Sequence, residues 1–159
     1  MTRQVAQDVA ISEIMQSLRR IFKAIQDYSH EVSEKFGITG PQLWALKTIS
    51  QNESLSLSDL SERMYLHPST ITGLIDRLEK KDLVERYRDQ GDRRVIKLQL
   101  TPRGKELVRR APDPIQGKMI YGLGKLKKAE LGSVYESIQK LVEVMEARDV
   151  KATFFFSEE

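Results

Sequence analysis

Pro68-Ser69-Thr70-Ile71-Thr72-Gly73-Leu74-Ile75-Asp76-Arg77-Leu78-Glu79-Lys80-Lys81 carries Ile71, Leu74, Ile75 and Leu78 at helical spacing, with polar residues between them. Pro68 suits the first turn of that helix, where its fixed φ is preorganised and its missing N–H has no partner to lose. Just beyond, the period changes from 3.6 to 2. Leu83-Val84-Glu85-Arg86-Tyr87-Arg88 reads as a strand and Asp89-Gln90-Gly91-Asp92 as a turn. Val95-Ile96-Lys97-Leu98-Gln99-Leu100 alternates from Ile96 onward and reads as the returning strand.

Working upstream, Ser56-Leu57-Ser58-Asp59 offers a helix start whose apolar face is Leu57, Leu60 and Met64. Tyr65-Leu66-His67-Pro68 joins this helix to the one quoted above, which is the pattern of a helix-turn-helix. Thr39-Gly40-Pro41-Gln42 looks like a capping box with proline in the first turn. It opens a helix through about Ser50, with Leu43, Leu46, Lys47 and Ile49 on or near its inner face and Trp44 beside them. Downstream, Thr101-Pro102 starts a further helix. Pro112 and Pro114 end or kink it, and Gly117, Gly122 and Gly124 make the next stretch a poor rigid rod. The expected fold is mainly α, with a small antiparallel β-hairpin.

Two longer helices flank this middle. Residues 9–36 place Ile14, Leu18, Ile21, Ile25, Tyr28 and Val32 in alternating steps of four and three, a heptad seam ending near Gly37, a plausible C′ glycine. Residues 130–147 repeat it with Leu131, Val134, Ile138, Leu141 and Met145. The seams fit packing within one subunit or between two. Phe36 leads directly into the compact middle, which leaves much apolar helix surface for a partner. Phe154-Phe155-Phe156 is odd for a free tail and reads as docked on the helical core or as a frayed terminus.

Of the 159 residues, 40% are hydrophobic and 31% charged, a globular balance and about one domain's length. No apolar run approaches the ~18 residues of a membrane helix, and Met1 to Ala10 is polar, so a cytoplasmic protein without a signal peptide is expected. There is no cysteine, hence no disulfide framework or thiolate redox switch. Residues 63–110 carry 13 Lys/Arg against 7 Asp/Glu, while the remainder carries 13 against 16. The basic charge is therefore confined to the middle third. That distribution fits a nucleic-acid footprint as well as an ordinary solvated face.

The outward face of residues 68–81 carries Ser69, Thr70, Thr72, Gly73, Asp76 and Arg77. Short hydrogen-bonding side chains at a helix N-terminus can approach base edges in the major groove, and Gly73 permits close approach. At the hairpin tip, Arg93 and Arg94 stand on a narrow projection, where arginine can enter the strongly negative minor groove.

Asp92-Arg93-Arg94-Val95-Ile96-Lys97-Leu98-Gln99-Leu100-Thr101-Pro102-Arg103-Gly104 resembles the wing signature of the multiple antibiotic resistance regulator (MarR) family. Residues 68–81 resemble its recognition helix. The resemblance covers residues 10–110 well and the C-terminal helices more loosely. It implies one MarR-like domain over residues 1–159, with a winged helix-turn-helix lobe at 39–110 and a helical dimerisation region at 9–36 and 112–159. It implies a homodimer that binds double-stranded DNA and regulates transcription, most commonly by repression. By the family pattern, Arg94 reaches into the minor groove and Asp92 orients it by an ion pair. Ser69, Thr70, Thr72 and Arg77 fall on DNA-facing positions. Many members bind small aromatic or acidic effectors, and Tyr28 and Trp44 are the candidates for such a pocket. Two residues depart from the pattern: Gly73 stands where a larger polar or basic residue is common, and Asp82 where a glycine usually ends the helix.

Other chemistries find little support. Gly122-Leu123-Gly124-Lys125 lacks the preceding glycine and the following Ser/Thr of a phosphate loop. His30 and His67 lie 37 residues apart with no cysteine, which predicts no zinc site and no cofactor. No Ser, His and Asp grouping points to an enzyme. The competing reading is a dimeric winged-helix module for protein contacts, without an effector pocket. Salt separates the two, because phosphate contacts weaken steeply as salt rises.

Overall fold

A computed structural model describes residues 3–152; the Phe154-Phe155-Phe156 segment lies outside the described residues. The chain runs α1 (Arg3–Phe36), α2 (Gly40–Ser50), β1 (Leu55–Ser56), α3 (Leu57–Met64), α4 (Pro68–Lys80), β2 (Val84–Arg88), β3 (Ile96–Leu100), α5 (Pro102–Arg110), α6 (Ile115–Gly124) and α7 (Lys128–Val144).

Side-chain caps set most of these boundaries. The Thr39 hydroxyl accepts from the Gln42 N–H while the Gln42 carboxamide oxygen accepts from the Thr39 N–H, the capping box expected at α2. Ser56 and Asp59 form the same reciprocal pair at α3. The Asp59 carboxyl is held below the usual carboxylate range, chiefly by the Ser56 N–H and then by the Ser56 hydroxyl. Thr101 caps α5 by accepting from the Gly104 N–H. Gly37 closes α1 at φ +65°, where its lack of a Cβ removes the strain.

The hairpin is part of a larger sheet. β2 and β3 pair antiparallel from Val84 opposite Leu100 to Arg88 opposite Ile96. Leu55–Ser56 adds a third strand on the other edge of β3, with Leu55 opposite Leu98, so the order is β1-β3-β2. Two residues are too short to show a period, which hides β1 from a pattern reading. Between α4 and β2 the chain turns at Asp82, with φ 57°. The position where glycine is customary is thus left-handed here, and Asp fills it at a modest steric cost. The Asp82 carbonyl accepts from the Thr101 hydroxyl at 2.7 Å, tying this turn to the start of α5.

The core joins Leu43, Leu46 and Ile49 of α2, Leu60 and Met64 of α3, Ile71, Leu74, Ile75 and Leu78 of α4, and Leu83, Leu98 and Leu100 around the sheet. Val32 of α1 and Val108 of α5 close it. Gly104 fits only because it lacks a Cβ: one added there would stand 2.0 Å from the Leu83 carbonyl oxygen.

One expectation needs correction: α1 begins at Arg3 rather than near residue 9. The stretch after Pro114 that bears Gly117, Gly122 and Gly124 forms helix α6. Each glycine costs ~1 kcal/mol against alanine, which the half-buried Ile115 and Ile120 offset in part, while Met119 and Leu123 are exposed.

Among the described residues, the N-terminal part of the α1 seam and most of the α7 seam are uncovered. Ile25 and Val32 are buried, but Ile14, Ile21 and Phe22 are about half exposed. Among the described residues of α7 none is buried, and Leu131, Val134 and Ile138 are open.

Candidate nucleic-acid interface

α4 is oriented by its buried stripe, so its other side faces solvent: Ser69, Thr72, Asp76 and Arg77 are exposed, with Thr70 and Gly73 half-buried. Several of these polar groups are already engaged. His67 is the N-cap, and its Nδ1 accepts the Ser69 N–H at 3.2 Å and lies 2.8 Å from the Ser69 hydroxyl. Ser69 is thereby held at the tip of the helix. The exposed Thr72 donates its hydroxyl back to the Pro68 carbonyl at 3.0 Å. No Cβ clash explains Gly73; an added side chain would point into open space.

Asp76 belongs less to the outward face than its position suggests. The Arg86 guanidinium on β2 donates to Asp76 Oδ1 at 2.8 Å and also pairs with the Glu79 carboxylate, which accepts the Arg86 backbone N–H at 3.2 Å. This fork ties α4 to the base of the hairpin. Sequence reading misses it because the partners lie seven and ten residues from Arg86, a separation bridged only by the left-handed turn at Asp82.

The hairpin tip is internally braced. The Asp89 carboxylate accepts the N–H groups of Gly91 and Asp92, each at 3.1 Å, and Arg88 donates to the Arg93 carbonyl at 3.0 Å. Beyond this brace, Asp92 grips Arg94. Its Oδ1 accepts the Arg94 backbone N–H and Nε, and its Oδ2 accepts Nη2 at 3.2 Å. Arg94 holds the Asp92 carboxyl below the usual carboxylate range, first through its side chain and then through its backbone N–H. The Arg94 side chain is nonetheless 92% exposed. A guanidinium fixed in direction yet open to solvent can bind a phosphate or enter a groove at little further entropic cost. Arg93 is exposed beside it, and Arg77 and Lys80 are exposed on α4.

The two pocket candidates part company. Trp44 lines a cavity of about 510 Å³ between α2, the turn before α4, and the α6–α7 corner. Tyr28 is not among its lining residues. Its ring packs at Gly40, where an added Cβ would stand 3.1 Å from the ring edge. Burial pushes the Tyr28 hydroxyl up to about 12, against a smaller opposite pull from the Ile115 backbone.

A model of the MarR family matches residues 38–96. The chain is 38% identical over 98 residues to an uncharacterized helix-turn-helix transcriptional regulator of Bacillus subtilis, YsmB, covering 62% of this chain and 67% of that one. It is 42% identical over 97 residues to the B. subtilis transcriptional repressor MdtR, covering 61% and 63% respectively. The crystal structure of B. subtilis YusO resembles it with a TM-score of 0.54 at 34% identity, over 86% of this chain and 96% of that one.

Proposed function

Because this chain belongs to the MarR family, we propose that it regulates transcription as a homodimer that places α4 and the β2–β3 wing of each subunit on a roughly palindromic DNA operator. DNA binding and transcription regulation are the family's function. The pairing of subunits, the operator symmetry and the individual DNA contacts are our reading. In this reading residues 39–110 form the DNA-binding lobe and residues 9–36 and 112–159 the dimerisation region.

The observation that carries it is the Asp92–Arg94 pair: a guanidinium held by both carboxylate oxygens and pointed away from the body of the protein. In the bound state Arg94 lies in the minor groove with Arg93 on the flanking backbone. Ser69, Thr70, Thr72 and Gly73 enter the major groove at the N-terminus of α4, and Arg77 reaches a phosphate or a guanine edge. Asp92 acts by orienting Arg94.

Dimerisation is supported by the uncovered apolar faces of α1 and α7, where Ile14, Ile21, Phe22, Leu131, Val134 and Ile138 stand open in the single chain. A surface of that kind marks an interface in a folded protein. Repression is supported by the likeness to MdtR. Release by a small ligand is supported by the cavity at Trp44, which includes Tyr65 and Leu66 of the turn leading into α4.

The test is selection of random duplexes by the purified protein, followed by titration of the enriched sequence at several salt concentrations, with light scattering of the free protein. The expected result is an inverted repeat with half-sites about one helical turn apart, a steep salt dependence and a dimeric mass. A monomeric mass at micromolar concentration overturns the dimer. Binding indifferent to salt overturns the phosphate contacts and favours a protein partner.

A further inference from the structure

The C-terminal ends of α1 and α4 meet the flank of α5 in a groove of two depressions, about 320 and 270 Å³. Both are lined by Phe36, Arg103 and Leu107, so they run into one another along α5. The floor is apolar: Phe36 and Leu107 are half-buried and packed against the core, with Ile38 and Leu83 buried at one end. The rim is cationic, with Lys80, Lys81, Arg103 and Arg110 against Asp82 and Glu106. Lys35 also lines it but is answered by Glu31 at 2.8 Å. Glu106 is engaged by Arg109, accepting from it with both oxygens at 2.7 and 3.0 Å. The side chains of Lys80, Arg103 and Arg110 form no ion pair or hydrogen bond with any described residue. Lys81 donates to the Gly37 carbonyl at 2.6 Å, which fixes its ammonium without neutralising it.

This charge lies away from the elements proposed to meet DNA. α4 is 13 residues long, so Lys80 stands about 18 Å from the N-terminus that would enter the major groove. Asp82, Leu83 and Arg103 flank the base of the hairpin, whose two strands pair over five residues, about 16 Å, before its tip. An operator held by the tip of α4 and the wing would leave these cations unanswered.

We propose that the groove docks an acidic, amphipathic segment of a protein partner, with apolar anchors on Phe36 and Leu107 and carboxylates on Lys80, Lys81, Arg103 and Arg110. The separation from DNA rests on the proposed operator-bound orientation. The shape argues for a peptide. Arg103, Leu107 and Arg110 share one face of α5, and the two arginines are about 10 Å apart along its axis, two turns of a docked helix. An apolar floor inside a charged rim is the arrangement of a protein interface, where buried anchors hold the partner and rim charges select and steer it. The unanswered charges on the rim fix the sign: carboxylates are attracted and a basic segment is repelled.

The test is selection of a displayed library of random peptides, about three to four helical turns long, on the full-length protein. Arg103→Glu/Arg110→Glu serves as counter-selection. Both arginines are exposed and without partners among the described residues, so the double variant is expected to fold, and thermal melting checks it. Arg103→Gln/Arg110→Gln, which removes the charge without reversing it, takes its place if charge reversal unfolds the chain. Enriched peptides are expected to be net acidic with apolar residues three or four apart, and to bind the double variant about tenfold more weakly or worse. The same peptides are expected to bind the protein on its operator as well as the free protein, forming a ternary complex. Survival of no acidic peptide through the counter-selection overturns the proposal. Mutual exclusion of peptide and operator, with the variant weakened on every duplex, overturns it by assigning the groove to DNA phosphates. A changed oligomeric mass in the folded variant overturns it by assigning the groove to a second copy of the chain. Failure of the protein to bind any duplex defeats the DNA reading alone, and the comparison of wild type with the variant still decides the groove.

Discussion

Arg86 on β2 reaches Asp76 on α4 at 2.8 Å and pairs, with the same guanidinium, with Glu79 one turn further along that helix. Two elements proposed to address different grooves of DNA are thus pinned to each other at one side chain. The Arg86 side chain is 22% exposed and that of Glu79 31%, against 51% for Asp76, so the Glu79 arm is the better shielded from the screening that weakens surface pairs.

Arg86→Gln removes the fork and leaves the Glu79 carboxylate partly buried without its cation. Urea unfolding is expected to show a loss of ~1–3 kcal/mol. Operator binding is expected to fall more than binding to scrambled DNA, because the angle between α4 and the wing is no longer set. Arg86→Lys keeps the charge but not the two-pronged geometry, so it recovers only part of either loss. Equal weakening on both DNAs shows that the fork serves stability alone.

Arg94→Ala and Asp92→Ala are expected to fail in different ways. Removing the Arg94 guanidinium weakens binding and lowers the log-affinity against log-salt slope by about one unit for each phosphate charge it no longer neutralises. Removing the Asp92 carboxylate weakens binding without lowering that slope, because no positive charge leaves the interface. Titrations at several salt concentrations read both. Wild-type behaviour of Arg94→Ala places the wing off the DNA.

The grip on Arg94 depends on acid. Arg94 lowers the Asp92 carboxyl below its ordinary range, so the pair favours the ordered tip fully above the ordinary carboxylate pKa. That contribution fades as pH falls through the lowered value. Nuclear magnetic resonance is expected to show the Arg94 Nε–H protected at neutral pH and exchanging freely at strongly acid pH, with the midpoint below that of a free aspartate. Arg77, which forms no ion pair among the described residues, serves as the comparison.

Tyr28 gives the opposite sign. Its folded pKa, about 12, lies above the ordinary 10.0, so burial favours the protonated phenol. The fold is undiminished by this group below pH 10 and loses stability as pH rises from there toward 12. Ultraviolet titration is expected to show one tyrosine ionising late, and Tyr28→Phe to remove that late step. An unshifted titration for all five tyrosines defeats the prediction.

Gly104→Ala forces a Cβ against the Leu83 carbonyl, where 2.0 Å is available. Overpacking of this kind costs about 1–3 kcal/mol and more where the neighbour is backbone. The denaturation midpoint is expected to drop sharply. Asp82→Gly, at φ 57°, is expected to raise it slightly or leave it unchanged.

The sequence by itself determined the helix order, the caps and the wing, because these depend on interactions within a few residues: Thr39 with Gln42, Ser56 with Asp59, Thr101 with Gly104, and the period change after Lys81. The Asp92–Arg94 pair was legible for the same reason, spanning two residues, once the motif resemblance gave it a meaning. Tertiary structure alone decided what crosses the chain. The β1–β3 pairing, the Arg86 fork and the Gly104–Leu83 approach join residues whose separation carries no period or motif. It also decided which aromatic meets the cavity, setting Trp44 on the wall and Tyr28 against Gly40. Heptad spacing predicts an apolar seam equally well whether it packs inside a subunit or outside it. Only the folded chain shows that the α7 seam is left uncovered by the described residues, since burial is a property of the surface around a residue and not of its spacing.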